Sequence, residues 1–268
     1  MITIKNVLKE KGPGYTISLS NGEMLLVSED ILVRYRLLKN QEVTQDLIDE
    51  IKKAGQQDLG YQMSLNYLSY QLRTEKEVRD YLKDKEINRQ DIDRIIERLK
   101  EVKLVDDQVY AESYVRTQMR LSDKGPAVLK QKLTQKGIKA PVADAALNLY
   151  TFEVQQAVAT KLAEKTIRKN QHKTFQTQKQ KLQQTLMTKG FDKEVSRAVL
   201  ANITLEKDVE QEASLLDKEG DKLWRKNSRF EPFDRKQKTM QGLMRKGFEY
   251  ELIKQYVAQK ELTDEDNE

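Results

Sequence analysis

Cysteine is absent from the 268-residue chain, so neither a disulfide framework nor a thiolate metal site can be built. That absence fits a reducing compartment. Histidine occurs once, as His172 in the polar stretch 169–173. A catalytic imidazole needs an orienting partner and a nucleophile, and the sequence offers neither in pattern. No two-histidine or carboxylate–histidine spacing argues for a metal. The adjacent acids Asp106 and Asp107 read as cap and dipole partners of a helix start. We therefore expect no catalytic residues, no metal and no cofactor, with His172 on the surface. Only 4 prolines and 11 glycines are present, too few for a long linker or a low-complexity chain. No run approaches the ~18 apolar residues that a membrane span needs. The N-terminus alternates apolar and polar residues, without the apolar core of a signal peptide. A soluble, cytoplasmic protein is the expectation.

Charge is abundant. Charged residues make up 34% of the chain and apolar residues 38%, a large surface for the available core. This favours an elongated, helix-rich protein over a compact α/β enzyme. The net charge of +5 is modest, but it is unevenly spread. Residues 116–139 hold seven bases (Arg116, Arg120, Lys124, Lys130, Lys132, Lys136, Lys139) against Asp123. Residues 161–181 hold seven more, against Glu164 alone. The last eight residues carry five acids and no base. Such asymmetry speaks about partners.

The N-terminal stretch reads as a small β-hairpin/helix module over residues 1–57. Ile2-Thr3-Ile4 begins a strand, Tyr15, Ile17 and Leu19 alternate with polar residues, and Glu23 to Val27 returns. Asn21-Gly22 predicts a two-residue turn between the last two. Three short strands need a helical cover. Ser28 is placed to cap a helix over 29–38, and Thr44 one that ends at Ala54-Gly55. The loop Lys11-Gly12-Pro13-Gly14 lacks the spacing of a phosphate cradle.

Beyond residue 58 the pattern is helical and repeated. Leu133-Thr134-Gln135-Lys136-Gly137-Ile138 recurs as Leu186 to Phe191 and as Leu243 to Phe248, with a weaker first copy, Leu82 to Ile87. Glycine suits the left-handed residue just past a helix, and the flanking Leu and Ile or Phe occupy the positions that touch in a Schellman ending. Glu86 replaces glycine in the first copy. Successive leucines are 51, 53 and 57 residues apart. One turn earlier stand Val78, Leu129, Leu182 and, as an exception, Thr239. After each turn an amphipathic pattern resumes (Ile95-Ile96, Ala146-Leu147, Val199-Leu200, Tyr256-Val257). Thr74 with Glu77 forms a capping box, Pro126 and Pro141 suit first turns, and Asp192 suits a cap.

A further helix precedes each pair: one bearing Leu65, Leu68 and Leu72, then 107–121, 152–170, and one from Glu206 towards Lys226. The fold class is therefore mainly α: tandem three-helix repeats forming an elongated curved array. The expected repeats are 58–104, 105–151, 152–204 and 205–268, the last ending in the acidic tail. Gly125, Gly137, Gly190 and Gly247, with Leu133 and Ile138, are structural positions. The turn lysines Lys85, Lys136, Lys189 and Lys246 complement the negative end of the helix dipole.

Basic faces are the strongest signal for binding. Arg116 and Arg120 lie one turn apart, as do Lys132 and Lys136. Lys161, Lys165, Arg168 and Lys169 share roughly a 100° arc of one helix. Such rows neutralise phosphates with little sequence preference. They also fit the solvated face of a lysine-rich helical protein, and the residues alone leave both readings open. Tyr110 and Tyr114 are spaced for core packing or for base stacking. Trp224, beside Arg225, Lys226 and Arg229, presents the same choice.

The stretch Asp106-Asp107-Gln108-Val109-Tyr110-Ala111-Glu112-Ser113-Tyr114-Val115-Arg116 resembles the Asp-x-x-Tyr-Ala-x-x-(aromatic) signature of the RecX family. As in that family, Lys124-Gly125-Pro126, Leu129, Leu133 and Lys136-Gly137-Ile138 follow. Residues 68–78 resemble its first repeat. The resemblance covers residues 60–150, with Asp107, Tyr110, Ala111 and Tyr114 as signature positions. The third and fourth repeats match through the Lys-Gly-Phe turn only. It implies a non-enzymatic regulator that binds filaments of the RecA recombinase on single-stranded DNA and lowers strand exchange and ATP hydrolysis in DNA repair and the SOS response. DNA binding is implied as a secondary activity, in a monomer without membrane association. The residues expected to meet DNA phosphates or acidic filament surface are Arg116, Arg120, Lys124, Lys132 and Lys136, with Lys161, Lys165, Arg168 and Lys169. A helical-repeat adaptor for another protein and a general architectural DNA binder remain alternatives.

Overall fold

The computed structural model describes residues 2–12, 14–203 and 208–265. Pro13 of the expected loop, Glu206 of the expected fourth-repeat helix, the 204/205 boundary and the tail acids Asp266 and Glu268 lie outside them. Strands β1 (Ile2–Lys9), β2 (Tyr15–Leu19) and β3 (Met24–Val27) form an antiparallel sheet. A fourth strand, β4 (Glu42–Val43), joins it, giving the order β3-β2-β1-β4. The sequence reading has three strands. Two residues are too few to show alternation, and pairing Ile2 with Val43 is a long-range event. The apolar face holds Ile4, Ile17, Leu19, Leu25 and Val27.

Helices α1 (Glu29–Arg34) and α2 (Gln45–Ser69) supply Ile31, Ile48 and Ile51 to that core. Ser28 and Thr44 cap them as expected, their hydroxyls accepting from Ile31 N–H and Leu47 N–H. Three local expectations are corrected. The β2–β3 connection is longer than two residues: four, 20–23, separate the strands, three of them inside the hydrogen bond that closes the loop. Leu19 N–H donates to Glu23 C=O at 2.9 Å, and Gly22, with φ +88°, takes the left-handed position. Helix α1 stops at Arg34 instead of Leu38, because Arg36 turns at φ 51° and Leu37 folds back into the core. Finally, α2 runs through Ala54-Gly55.

Gly55 is packed, not a stop. A Cβ there would sit 3.3 Å from Val27 Cγ1, and one on Gly60 would sit 2.7 Å from Ile95 Cδ1. The missing side chains let one helix press against the sheet and then against the first repeat. The expected boundary after residue 57 thus falls inside a continuous helix. Leu72 lies past its end and is exposed.

The helices then come in threes. Helices α3 (Glu75–Asp84) and α4 (Arg89–Glu101) follow the second half of α2. Next are α5 (Asp107–Leu121), α6 (Pro126–Gln135) and α7 (Ala140–Leu147). Helices α8 (Phe152–Asn170), α9 (Phe175–Thr188) and α10 (Lys193–Asn202) form the third set. The fourth is α11 (Val209–Lys226), α12 (Pro232–Arg245) and α13 (Tyr250–Glu265). The chain divides into two compact units. The first comprises residues 1–115 and 130–149, the second 116–129 and 150–268. Among the described residues no helix is long and apolar enough to cross a membrane.

The recurring turn is a Schellman ending in every copy. Ile138, Phe191, Phe248 and Ile87 N–H groups donate to the carbonyls of Leu133, Leu186, Leu243 and Leu82. Gly137, Gly190 and Gly247 have φ between +85° and +88°, and Glu86 has φ 60°. The exceptional Thr239 is fully buried and its hydroxyl accepts from Asn227 Nδ2.

These turns also join helices of different sets. In the first unit, Thr74 Oγ1 donates to Lys136 C=O at 2.8 Å while accepting from Glu77 N–H. In the second unit, Thr174 Oγ1 donates to Lys246 C=O at 2.8 Å. Also in that unit, Gly125 N–H donates to Lys189 C=O at 2.7 Å and Ala127 N–H to Gly190 C=O. Carboxylates cap the same helix starts: Asp107 accepts from Glu75 N–H at 2.9 Å, and Glu212 from Phe175 N–H at 3.0 Å. An unsatisfied carbonyl at one helix end and an unsatisfied N–H at another thus satisfy each other's requirement.

Candidate nucleic-acid interface

Helix α8 buries Ala159, Leu162, Ala163 and Thr166, and so presents its basic positions to solvent. Lys161, Lys165, Arg168 and Lys169 are all exposed. Lys165 and Lys169 line an open groove of about 470 Å³ between α8 and α9. Lys173 from the connecting turn and Lys181 from α9 line it too, while Lys161 and Arg168 do not. Its uncharged polar lining comes from Thr166, Asn170, Gln184, Thr185 and Thr188. The groove's one acid, Asp123, is held by Lys189 at 2.6 Å.

The electrostatics show an excess of positive charge. The Lys173 ammonium is held below the ordinary lysine range by desolvation and then by the neighbouring ammonium groups of Lys181 and Lys169. Cations that disfavour one another's charge are stabilised when an anion arrives. Asp123 is pulled below the ordinary carboxyl range by Lys189, against a smaller opposing effect of burial. It is thus ionised and tied to one side of the groove. Thr166 donates its hydroxyl to Leu162 C=O, and Asn170 donates to Thr166 C=O, so the groove floor is fixed by its own helix. Among the described residues no aromatic side chain lines the groove. This arrangement suits the repeating anions of a nucleic-acid backbone and provides no surface for stacking bases.

The remaining predicted positions divide between the two units. Arg116, Arg120 and Lys124 belong to the second; Lys132 and Lys136 belong to the first. Arg116, Arg120 and Lys132 are exposed. Lys124 Nζ donates to Gln118 Oε1, and its carbonyl accepts from the buried Tyr150 hydroxyl. Lys136 is held at 2.7 Å by Glu77 and lies 5.5 Å from the Tyr110 ring centroid. Lys189 and Lys246 are held likewise, by Asp123 and Glu219. Three of the four turn lysines therefore tie helices together, more than a dipole argument alone foresees, while Lys85 lies 5.8 Å from the Tyr81 ring centroid of its own helix.

Tyr110 and Tyr114 stack on each other, centroids 6.4 Å apart and planes at 9°. Trp224 is only 6% exposed, sits in the fourth-repeat core, and donates Nε1–H to Asp264. It is not available to a nucleobase. Lys173 and Lys181 were visible in the sequence only as members of a charge run, because a turn separates them from α8. His172 is exposed.

Fold and surface together define a tandem three-helix-repeat protein with a cationic groove. Family models describing the first, second and third three-helix domains of RecX match residues 61–99, 106–147 and, for the third domain twice, 153–200 and 210–257. The chain is 50% identical over 262 residues to "Regulatory protein RecX" of Enterococcus faecalis, covering 98% of each chain. It is 42% identical over 258 residues to that of Levilactobacillus brevis, covering 96% of this chain and 97% of the other. Among solved structures, "Crystal structure of regulatory protein RecX" aligns with TM-score 0.62 and 36% identity, covering 75% of this chain and all of the other. The chain belongs to the RecX family, a family of regulatory proteins. The two matches of the third-domain model extend the repeat pattern to residues that the sequence resemblance reached only through Lys-Gly-Phe.

Proposed function

We infer that this protein is a non-enzymatic regulator of the RecA recombinase, acting on filaments of RecA on single-stranded DNA to lower strand exchange and ATP hydrolysis. The family name supports the regulatory role. One observation supports contact with nucleic acid: Lys165, Lys169, Lys173 and Lys181 converge on one groove whose sole acid is already paired. In this reading the groove takes backbone phosphates, with Lys161 and Arg168 beside it on α8. Arg116, Arg120, Lys124 and Lys132 supply further positive surface. Lys136 has mainly a joining role, because Glu77 holds it. Four phosphate contacts give a salt dependence of binding with a log–log slope of about −2.8 on single strands.

The test is co-sedimentation of the chain with RecA–single-stranded-DNA filaments over a range of salt. Charge reversal at Lys165, Lys169 and Lys181 is expected to weaken association and flatten its salt dependence. Unchanged association by a folded triple variant would remove the groove from the interface. Binding to RecA that ignores both nuclease and salt would favour the adaptor reading.

A further inference from the structure

A second concentration of positive charge lies where α11 turns into α12. Lys226, Arg229 and Lys238 are exposed there, and Arg225 beside them donates its Nε–H to Asp221 C=O and helps to hold the Asp221 carboxyl below its ordinary range. Two phenylalanines lie in the same stretch of chain, as do the exposed acids Glu231 and Asp234. Phe233 is 69% exposed at the start of α12, and Phe230 is half-buried in the turn. Lys238 Nζ lies 4.5 Å from the Phe230 ring centroid, and the Arg229 guanidinium lies 5.0 Å from it. Phe230 also forms part of a groove wall with Pro232, Leu262 and Trp224. The acids of that groove, Glu261 and Asp264, are held by Lys236 at 2.8 Å and Arg235 at 2.6 Å.

An exposed aromatic ring in a stretch of chain rich in cations has a specific use. Unpaired bases stack on aromatic faces while neighbouring cations hold the phosphates. In a duplex the bases are already stacked, so the aromatic contribution is lost and only the phosphate contribution remains. A purely apolar protein partner would leave Lys226, Arg229 and Lys238 without a counterpart. We propose that the α11–α12 turn is a second nucleic-acid site, a platform for the unpaired bases of a single strand. Phe233 takes a base, while Lys226, Arg229 and Lys238, the last two held beside the Phe230 ring, take the adjoining phosphates. The proposal rests on the nucleic-acid reading above, but its chemistry differs: the α8–α9 groove reads phosphates alone, whereas this site reads bases.

The test uses the full chain and three labelled probes: a thymidine homopolymer, an abasic strand of the same length, and a duplex. Binding is followed by fluorescence anisotropy. Phe233→Ala is expected to weaken thymidine-strand binding about 5- to 100-fold, leaving the abasic strand and duplex nearly unchanged. Phe233→Trp, which enlarges the stacking face, should retain or strengthen it. Circular dichroism of both variants monitors the fold, and the exposed position keeps Phe233→Ala informative where Phe230→Ala disturbs the turn. Equal losses on thymidine and abasic strands would overturn base stacking. So would unchanged thymidine-strand binding, and if RecA binding then falls instead, the turn is a protein-binding face. A groove variant, Lys169→Glu with Lys181→Glu, should weaken all three probes together. If only that expectation fails, the groove reading fails and the platform stands. If the parent chain binds none of the probes, both fall.

Discussion

Gly137→Ala and Gly22→Ala should destabilise the protein by different amounts, although both glycines have φ +88°. Both lie in the same compact unit. Forcing alanine into the left-handed region costs roughly 1–2 kcal/mol, and the gain from restricting the unfolded chain applies to both. Around Gly22 nothing lies within 4 Å of an added Cβ, so the conformational cost is the whole effect. At Gly137 the added Cβ would lie 2.5 Å from Lys76 Cβ and 2.6 Å from its Cδ. The Lys76 Cβ is fixed to α3, whose first turn is tied to this turn through Thr74 and Lys136. Overpacking of that kind adds roughly 1–3 kcal/mol. Glu86 makes the same point naturally. It holds φ 60° in the first-repeat turn with its side chain exposed, so the left-handed conformation alone does not demand glycine. Urea unfolding followed by circular dichroism compares the two variants. Equal losses would refute the idea that glycine is required by the docked helix rather than by the turn.

Thr174→Ala removes a cap and the hydrogen bond to Lys246 C=O, and is expected to lose about 1–2 kcal/mol, with Thr174→Ser restoring most of it; a loss of less than half a unit would discount the joint. Asp123 has a depressed folded pKa relative to its ordinary value of 3.8. Its pair with Lys189 therefore stabilises the fold above that value and ceases to do so as pH falls through the folded one. The stability gap between the parent and Asp123→Asn should be present near neutrality and close in acid; a gap independent of pH would contradict this. In Lys181→Gln the Lys173 ammonium should titrate at higher pH than in the parent, as read by NMR of the lysine side chains, because one of the cations that lowers it is gone. No movement would mean that desolvation and Lys169, without Lys181, set the value.

The repeat was legible in the sequence because its signals are local. A leucine, a lysine and a glycine at fixed spacing report a helix end, and Thr74 with Glu77 reports a helix start. What joins them was not legible. That Thr74 meets Lys136, or Thr174 meets Lys246, depends on packing between residues 62 and 72 positions apart. Gly55 misled for a related reason: glycine marks both a helix stop and a close approach, and only the sheet facing it decides which. At the candidate site, the charge run on α8 was visible. Its continuation in Lys173 and Lys181 needed the turn between α8 and α9. Near residue 224 the sequence left Trp224 between core packing and base stacking, and its burial decides for the core.

The most direct test of the account is RecA ATP hydrolysis on single-stranded DNA, measured while the purified chain is added. The account predicts a decline with rising protein, and a weaker decline for the folded Lys165→Glu, Lys169→Glu, Lys181→Glu variant. Hydrolysis that stays constant at every ratio of the two proteins would contradict it.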